Sequence, residues 1–253
     1  MNRPDSSPPL VIGGLGGSGT RAVTRVIGRT GRFMGAGLPE SEDAMEMDGF
    51  AVKWAVPYTN ARLSGRPMPE AAAMLREFRD GLVRHRAPIA GTDTPWGFKN
   101  PQNIHFLPFL IEQLPGLRFI HVIRDGRDLA FGGFPRPRIT EAYVGTDMAA
   151  EPDPVRMIAY WDRANRLAAD TGESELGPDY LVVRLEDLCL RSESTIRAML
   201  EFVGRPSPEL VQEAVAEVST PDGLGRWQSQ DGPLLEEVTT VGAEALRRFG
   251  YLE

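Results

Sequence analysis

Short apolar runs that end in glycine-rich or charged turns alternate along this chain with stretches whose apolar residues recur every three or four positions. Leu10-Val11-Ile12, entered at Pro9, runs into Gly13-Gly14-Leu15-Gly16-Gly17-Ser18-Gly19-Thr20, after which Ala22, Val23, Val26 and Ile27 share one helical face. That order reads as strand, glycine turn, helix. Gly31 to Asn60 has no clean period and is acidic at its centre (Glu40, Glu42, Asp43, Glu46, Asp48), so it reads as irregular with room for one short helix. Pro69 to His85, with Ala72, Leu75, Phe78 and Leu82 on one side, predicts a helix. Asn100-Pro101 supplies an N-cap and an N1 proline for another, running to about Gln113. Arg118 to Ile123 is a second strand, ending in Arg124-Asp125-Gly126-Arg127-Asp128, and Tyr180 to Arg184 is a third. Helices are expected from Asp153-Pro154 to Thr171, stopped by Gly172, and over Ser192–Val203, Pro208–Val218 and Leu234–Phe249.

Strands that are apolar throughout and alternate with helices predict an α/β fold: a central parallel sheet covered by helices on both sides. Residues 1 to 8 offer nothing to bury and read as a disordered tail, and residues 9–253 read as one domain. Ligands of such sheets bind beyond the carboxyl ends of the strands. Two of the three strands end in turns suited to anions, so both turns are expected to face one crevice.

Composition narrows the chemistry. The chain of 253 residues carries 28 Lys and Arg against 35 Asp and Glu, a net charge of −7, which leaves no global basic field for nucleic acid or an anionic membrane. Any bound anion must be held locally. Only two of the basic residues are lysines, Lys53 and Lys99, which marks each as a position where a compact point charge serves differently from a guanidinium fork. One cysteine, Cys189, excludes a disulfide framework or a cysteine-based zinc site, and His85, His105 and His121 are too scattered to suggest a metal. No apolar run reaches the length of a membrane span, so a cytoplasmic protein is expected.

The glycine turn points successive backbone N–H groups at one spot before a helix N-terminus, with Ser18, Thr20 and Arg21 adding donors and charge: a phosphate or sulfate cradle. It is not GxxxxGK[ST], because Gly19 is followed by Thr20-Arg21. It matches the spacing of GxGxxG through Gly14, Gly16 and Gly19, but no acidic residue closes a second strand about 20 residues on. At the end of the second strand, Arg124 offers a planar fork for bidentate phosphate binding, with Asp125 and Asp128 placed to cap the next helix and hold the arginines. Lys99 precedes a helix start, and Arg226-Trp227 lies in a Gly/Ser/Asp-rich loop, the indole suited to stacking on a base or filling the core. Together these features call for a ligand with two separate anionic groups.

Five motifs, in this order, resemble the signatures of sulfotransferases that use 3′-phosphoadenosine 5′-phosphosulfate (PAPS): Gly-Gly-Ser18-Gly19-Thr20-Arg21; Phe98-Lys99-Asn100-Pro101; Phe119 through Arg124 to Asp128; Tyr180 to Leu188; and Gly225-Arg226-Trp227. The resemblance runs from about residue 10 to the end, and it implies a P-loop nucleotide-kinase-like fold. It further implies metal-independent sulfuryl transfer from PAPS to a hydroxyl or amine of a small-molecule, carbohydrate or natural-product acceptor, releasing 3′,5′-bisphosphoadenosine (PAP). By the same resemblance Gly16, Gly17, Ser18, Gly19, Thr20 and Arg21 hold the 5′-phosphosulfate, Arg124 and Arg226 the 3′-phosphate, and Trp227 lies near the adenine. Lys99 then neutralises the leaving oxygen, with Glu40, or secondly Asp43, as base.

The sequence departs from the family pattern at Gly17, where Lys or Arg is usual, at Gly132, where a 3′-phosphate serine is usual, and at Leu185, where Tyr is usual. Other readings are a PAP-binding module without turnover, which Gly17 favours, and a P-loop-like nucleotide-dependent kinase, which the missing lysine disfavours. The acceptor is expected between residues 31–65 and 133–152, where Phe33, Phe50, Trp54, Tyr58, Phe134 and Tyr143 are candidates to line an apolar pocket.

Overall fold

A computed structural model describes residues 8–133, 137–145 and 148–253. Residues 1–7 of the expected tail and Phe134 lie outside these residues. Four strands form one sheet in the order β2-β1-β3-β4, and every pairing is parallel: β1 (Leu10–Gly14), β2 (Gly97–Lys99), β3 (Arg118–Ile123) and β4 (Tyr180–Arg184). β1 pairs with β3 from Leu10 opposite Arg118 to Gly14 opposite Val122. The chain leaves β1 toward β2 on one side and returns with β3 on the other, so the order reverses at the β1/β3 junction, where open α/β sheets place their crevice.

Strand residues alternate between two packed faces. Val11, Phe98 and Phe119 meet α2 (Met45–Ser64), α3 (Ala71–Arg86) and α4 (Leu107–Gln113). Leu10, Ile12, Ile120, Val122 and Val183 meet α1 (Thr20–Gly28), α8 (Leu185–Leu190), α9 (Ser192–Phe202) and α10 (Pro208–Val215). A third cluster gathers Ile123 with α5 (Gly126–Ala130), α6 (Pro137–Val144), α7 (Asp153–Thr171), α11 (Gly232–Val241) and α12 (Ala243–Arg248).

Several boundaries differ from the sequence expectation. Within the irregular stretch begins α2, a helix of 20 residues with Pro57 inside it that runs on to Ser64. Its buried face, Met47, Phe50, Ala51, Trp54 and Ala55, has helical spacing, but exposed Met45 and Val52 blur the pattern. The helix begun at Asn100-Pro101 is a tight turn over Pro101–Phe106 that widens into α4 at a second proline, Pro108; Asn100 does cap it, accepting from Gln102 N at 2.9 Å. Gly172 does not stop α7 but opens a wider turn, Gly172–Leu176. The last helix is two, broken at Gly242, where a Cβ would stand 2.4 Å from Ile158 Cγ1. Of the aromatic residues expected to line an acceptor pocket, Phe50, Trp54 and Tyr143 are core and Phe33 and Tyr58 pack against it. Phe50 packs with Phe78, Phe106 and Phe109, Tyr58 with Phe106, Phe33 with His85, and Trp54 and Tyr143 are buried.

His121 sits at the middle of β3, fully buried. Asn165 Nδ2 donates to Trp161 O at 2.7 Å, so its Oδ1 is an acceptor; His121 Nε2 therefore donates to it at 2.9 Å and Nδ1 accepts from the Tyr180 hydroxyl at 2.6 Å. Burial holds the ring neutral and pushes its pKa from 6.5 down to about 4, against the opposing pull of Asn165. The folded-state pKa is depressed, so the unfolded chain takes up the proton first as the pH falls. The His121 contribution is complete above pH 6.5 and is lost progressively toward pH 4. Urea unfolding across that range should show a His121→Gln variant losing stability less steeply than wild type, by up to about 1.4 kcal/mol per pH unit. Equal slopes would contradict the buried neutral ring.

Candidate active site

β1 ends in a turn that only glycine accommodates at two points. Gly17 and Gly19 have φ of 93° and 92°, and a Cβ at Gly19 would stand 2.6 Å from Leu185 Cδ1. Gly19 is the N-cap of α1 and no side chain caps the helix; Ala22 N and Val23 N donate to the Gly19 carbonyl at 3.0 and 3.4 Å, which leaves the N–H groups of Thr20 and Arg21 for an anion. The Ser18 hydroxyl is buried at this turn and has no hydrogen-bond partner among the described residues. A buried unpaired hydroxyl costs free energy that a bound acceptor would recover.

The segment from Pro39 to Ala44 lies over this cradle, held by three ion pairs. Arg21 Nη1 meets Glu40 Oε1 at 3.1 Å, Arg25 Nε meets Glu42 Oε1 at 3.1 Å, and Lys99 Nζ meets Asp43 Oδ1 at 2.8 Å. They are unequal. Glu40 and Arg21 are largely solvated, whereas Lys99 is 1% exposed and also donates to the Ser41 carbonyl. Burial pushes the Lys99 pKa down and the hydrogen bond to Asp43 pulls it back up. Pairing of β1 with β2, Ile12 opposite Lys99, sets this ammonium beside the end of β1.

Arg124 follows β3 directly and is 6% exposed. Its Nε and Nη2 donate to Asp128 Oδ2 at 3.2 and 2.9 Å, Nη1 reaches Gly17 O at 3.4 Å, and Nη2 also donates to Gly223 O. Arg226 Nε donates to that same Gly223 carbonyl at 3.2 Å, so two guanidinium groups converge there. Gly132 lies beside them, a Cβ at that position falling 3.3 Å from Arg226 Nη1. Arg127 takes a structural part: it pairs with Asp125 at 2.7 Å, donates to the Tyr251 carbonyl at 2.9 Å, and its guanidinium covers the Trp227 ring at 3.5 Å.

One cavity of about 430 Å³ connects these parts. Gly16, Gly17, Gly19, Thr20, Arg21, Asp43, Lys99 and Arg124 line it, together with Leu185, Val218, Ser219 and Pro221. Ser18, Glu40, Gly132, Arg226 and Trp227 are not in its wall. His105 is buried away from it, with Tyr143 Oη 2.9 Å from Nδ1 and Tyr160 Oη 3.2 Å from Nε2. The Val218–Pro221 wall and the Gly223 carbonyl escaped the sequence reading because they contribute shape and backbone, which no residue pattern announces. Among the described residues no group of three or more His, Cys, Asp or Glu gathers as a metal site, and no helix is long and apolar enough to cross a membrane.

A parallel α/β sheet with an anion cradle and buried cations at its switch point defines a protein built to handle a phosphate- or sulfate-bearing ligand. The model of the sulfotransferase family matches residues 8–209, so the chain belongs to that family and is a sulfotransferase. Solved structures share the fold. Sulfotransferase STF9 from Mycobacterium avium has a TM-score of 0.57 at 12% identity, covering 98% of this chain and 78% of that one. The sulfotransferase domain of the Synechococcus PCC 7002 olefin synthase has a TM-score of 0.53 at 15% identity, covering 96% and 97%. Sulfotransferase STF1 from Mycobacterium tuberculosis H37Rv has 0.54 at 15%, covering 94% and 77%. No curated protein sequence matches the chain.

The glycine turn carries a direct test. Gly19→Ala should lower stability by about 1–2 kcal/mol in urea unfolding, because alanine at positive φ meets Leu185 as well as its own backbone. An unchanged midpoint would mean that the turn is not held in this conformation.

Proposed function

We propose that the protein transfers a sulfuryl group from PAPS to a hydroxyl or amine of a small-molecule, carbohydrate or natural-product acceptor. The observation that carries this reading is a single cavity walled by the glycine turn, the buried Lys99 and the buried Arg124, whose Nη1 lies 3.4 Å from the Gly17 carbonyl. The residues present fit such a donor. Open N–H groups and the orphaned Ser18 hydroxyl suit the 5′-phosphosulfate, and the Arg124 and Arg226 forks suit a 3′-phosphate. Bound there, PAPS supplies a sulfuryl group already attached to a good leaving group.

The protein's share is positioning and charge neutralisation. Thr20, Arg21 and the turn fix the phosphosulfate end. Lys99, held rigidly by Asp43 and the Ser41 carbonyl, presents a positive charge to the oxygen on which negative charge develops. Arg21 supplies the further cation where Gly17 lacks a side chain. Of the two carboxylates considered as base, Asp43 is favoured: it lines the cavity, whereas the Glu40 side chain is 89% exposed. Trp227, covered by Arg127, acts on this reading by bracing the Arg226 loop rather than by stacking on adenine.

Calorimetric titration of PAP without added metal tests the reading. Wild type should bind, Arg124→Ala should weaken binding by about tenfold or more, and Lys99→Ala should change it less than about threefold while lowering turnover of PAPS by about a hundredfold. Asp43→Asn should likewise keep PAP affinity and lose turnover. Wild type that ignores PAP but binds ATP with Mg²⁺ would overturn the proposal, and PAP binding without turnover over a broad acceptor screen would make the protein a binding module.

A further inference from the structure

The Asp128 carboxylate is 1% exposed and accepts four hydrogen bonds from two distant parts of the chain. Arg124 Nε and Nη2 supply two, at 3.2 and 2.9 Å; the backbone N–H groups of Gly225 and Trp227 supply the others, at 2.7 and 3.1 Å. The loop so held is 97 and 99 residues further along the sequence. It carries the Gly223 carbonyl on which Arg124 and Arg226 both converge.

Two guanidinium groups sharing one carbonyl repel each other, and among the described residues the carboxylate paired with Arg124 is Asp128. By taking the Nε and Nη2 edge of Arg124, Asp128 fixes the plane of the fork and leaves Nη1 on the side of Gly17, at the cavity wall. By taking the Gly225 and Trp227 N–H groups, it fixes where Arg226 stands relative to that fork. A buried carboxylate is costly unless well bonded, and here three hydrogen bonds reach Oδ2 and one reaches Oδ1, tying Arg124 and the loop to a single side chain.

We propose that Asp128 is a positioning residue for the nucleotide end of the donor, acting through Arg124 and the Gly223–Trp227 loop to preset two cationic forks for one phosphate. This rests on the preceding reading that these arginines face a 3′-phosphate. Asp128 itself touches no ligand.

The test compares PAP with adenosine 5′-phosphate, which lacks the 3′-phosphate, in wild type and Asp128→Asn. PAP affinity should fall by about tenfold or more in the variant, while adenosine 5′-phosphate affinity should change less than about threefold. In an Arg124→Ala background the further loss of PAP affinity from Asp128→Asn should be smaller than in wild type, because only the Gly223–Trp227 loop is then left for the carboxylate to hold. Equal losses for both nucleotides would show a general structural role and overturn the proposal, as would unchanged PAP affinity. Wild type that binds both nucleotides equally would instead refute the 3′-phosphate reading on which the proposal stands. Should Asp128→Asn fail to fold, Asp128→Glu keeps the charge but moves the carboxylate relative to the Arg124 fork; it must show the same selective loss, and a wild-type PAP preference in it would contradict the proposal.

Discussion

The site depends on the parallel pairing of β1 with β3. Because Gly14 lies opposite Val122, the glycine turn and Arg124 leave the sheet at the same level and on neighbouring strands. Arg124 then reaches the Gly17 carbonyl, and the glycine turn and Arg124 become walls of one cavity. A one-residue slip would move the whole apolar set of β3 to the other face, so the two packed cores that cover the sheet also lock the register of the site.

Around that junction the protein handles charge locally. Its net charge is −7, yet the cavity gathers Arg21, Arg25, Lys99 and Arg124. Each has a carboxylate: Glu40, Glu42, Asp43 and Asp128 respectively. The pairs grade from solvated at Arg21 to buried at Lys99 and Arg124, so the cations most able to feel an incoming anion are the ones most firmly held. Chemistry that works by neutralising a developing charge needs such fixed cations, since a mobile one would have to reorganise during the reaction.

Much of this arrangement was legible in the chain. Strand, turn and helix are contiguous at Leu10–Gly28 and again at Arg118–Ala130, so local pattern exposed the glycine turn, Arg124 and the Asp125 cap; Asp128, read as a second cap, lies inside the helix and holds Arg124 and the Gly225 and Trp227 N–H groups instead. What escaped depends on packing between distant segments. β2 has three residues, too few for a period. Helix α2 hid behind Pro57 and its exposed apolar residues. The aromatic residues of 31–65 suggested a pocket by composition, but Phe78, Phe106 and Phe109 come from elsewhere in the sequence to enclose Phe50 as core. The Lys99–Asp43 pair spans 56 residues and the Gly223 carbonyl belongs to the backbone, so neither leaves a sequence signature.

The central claim is that the glycine turn and the Gly223–Trp227 loop grip opposite ends of one nucleotide. Hydrogen exchange resolved to single amides, with and without PAP, tests it most directly. The account predicts that PAP slows exchange at the amides of residues 17–21 and of residues 223–227 in the same titration, with one midpoint. Protection of only one of these segments, or two separate midpoints, would contradict it.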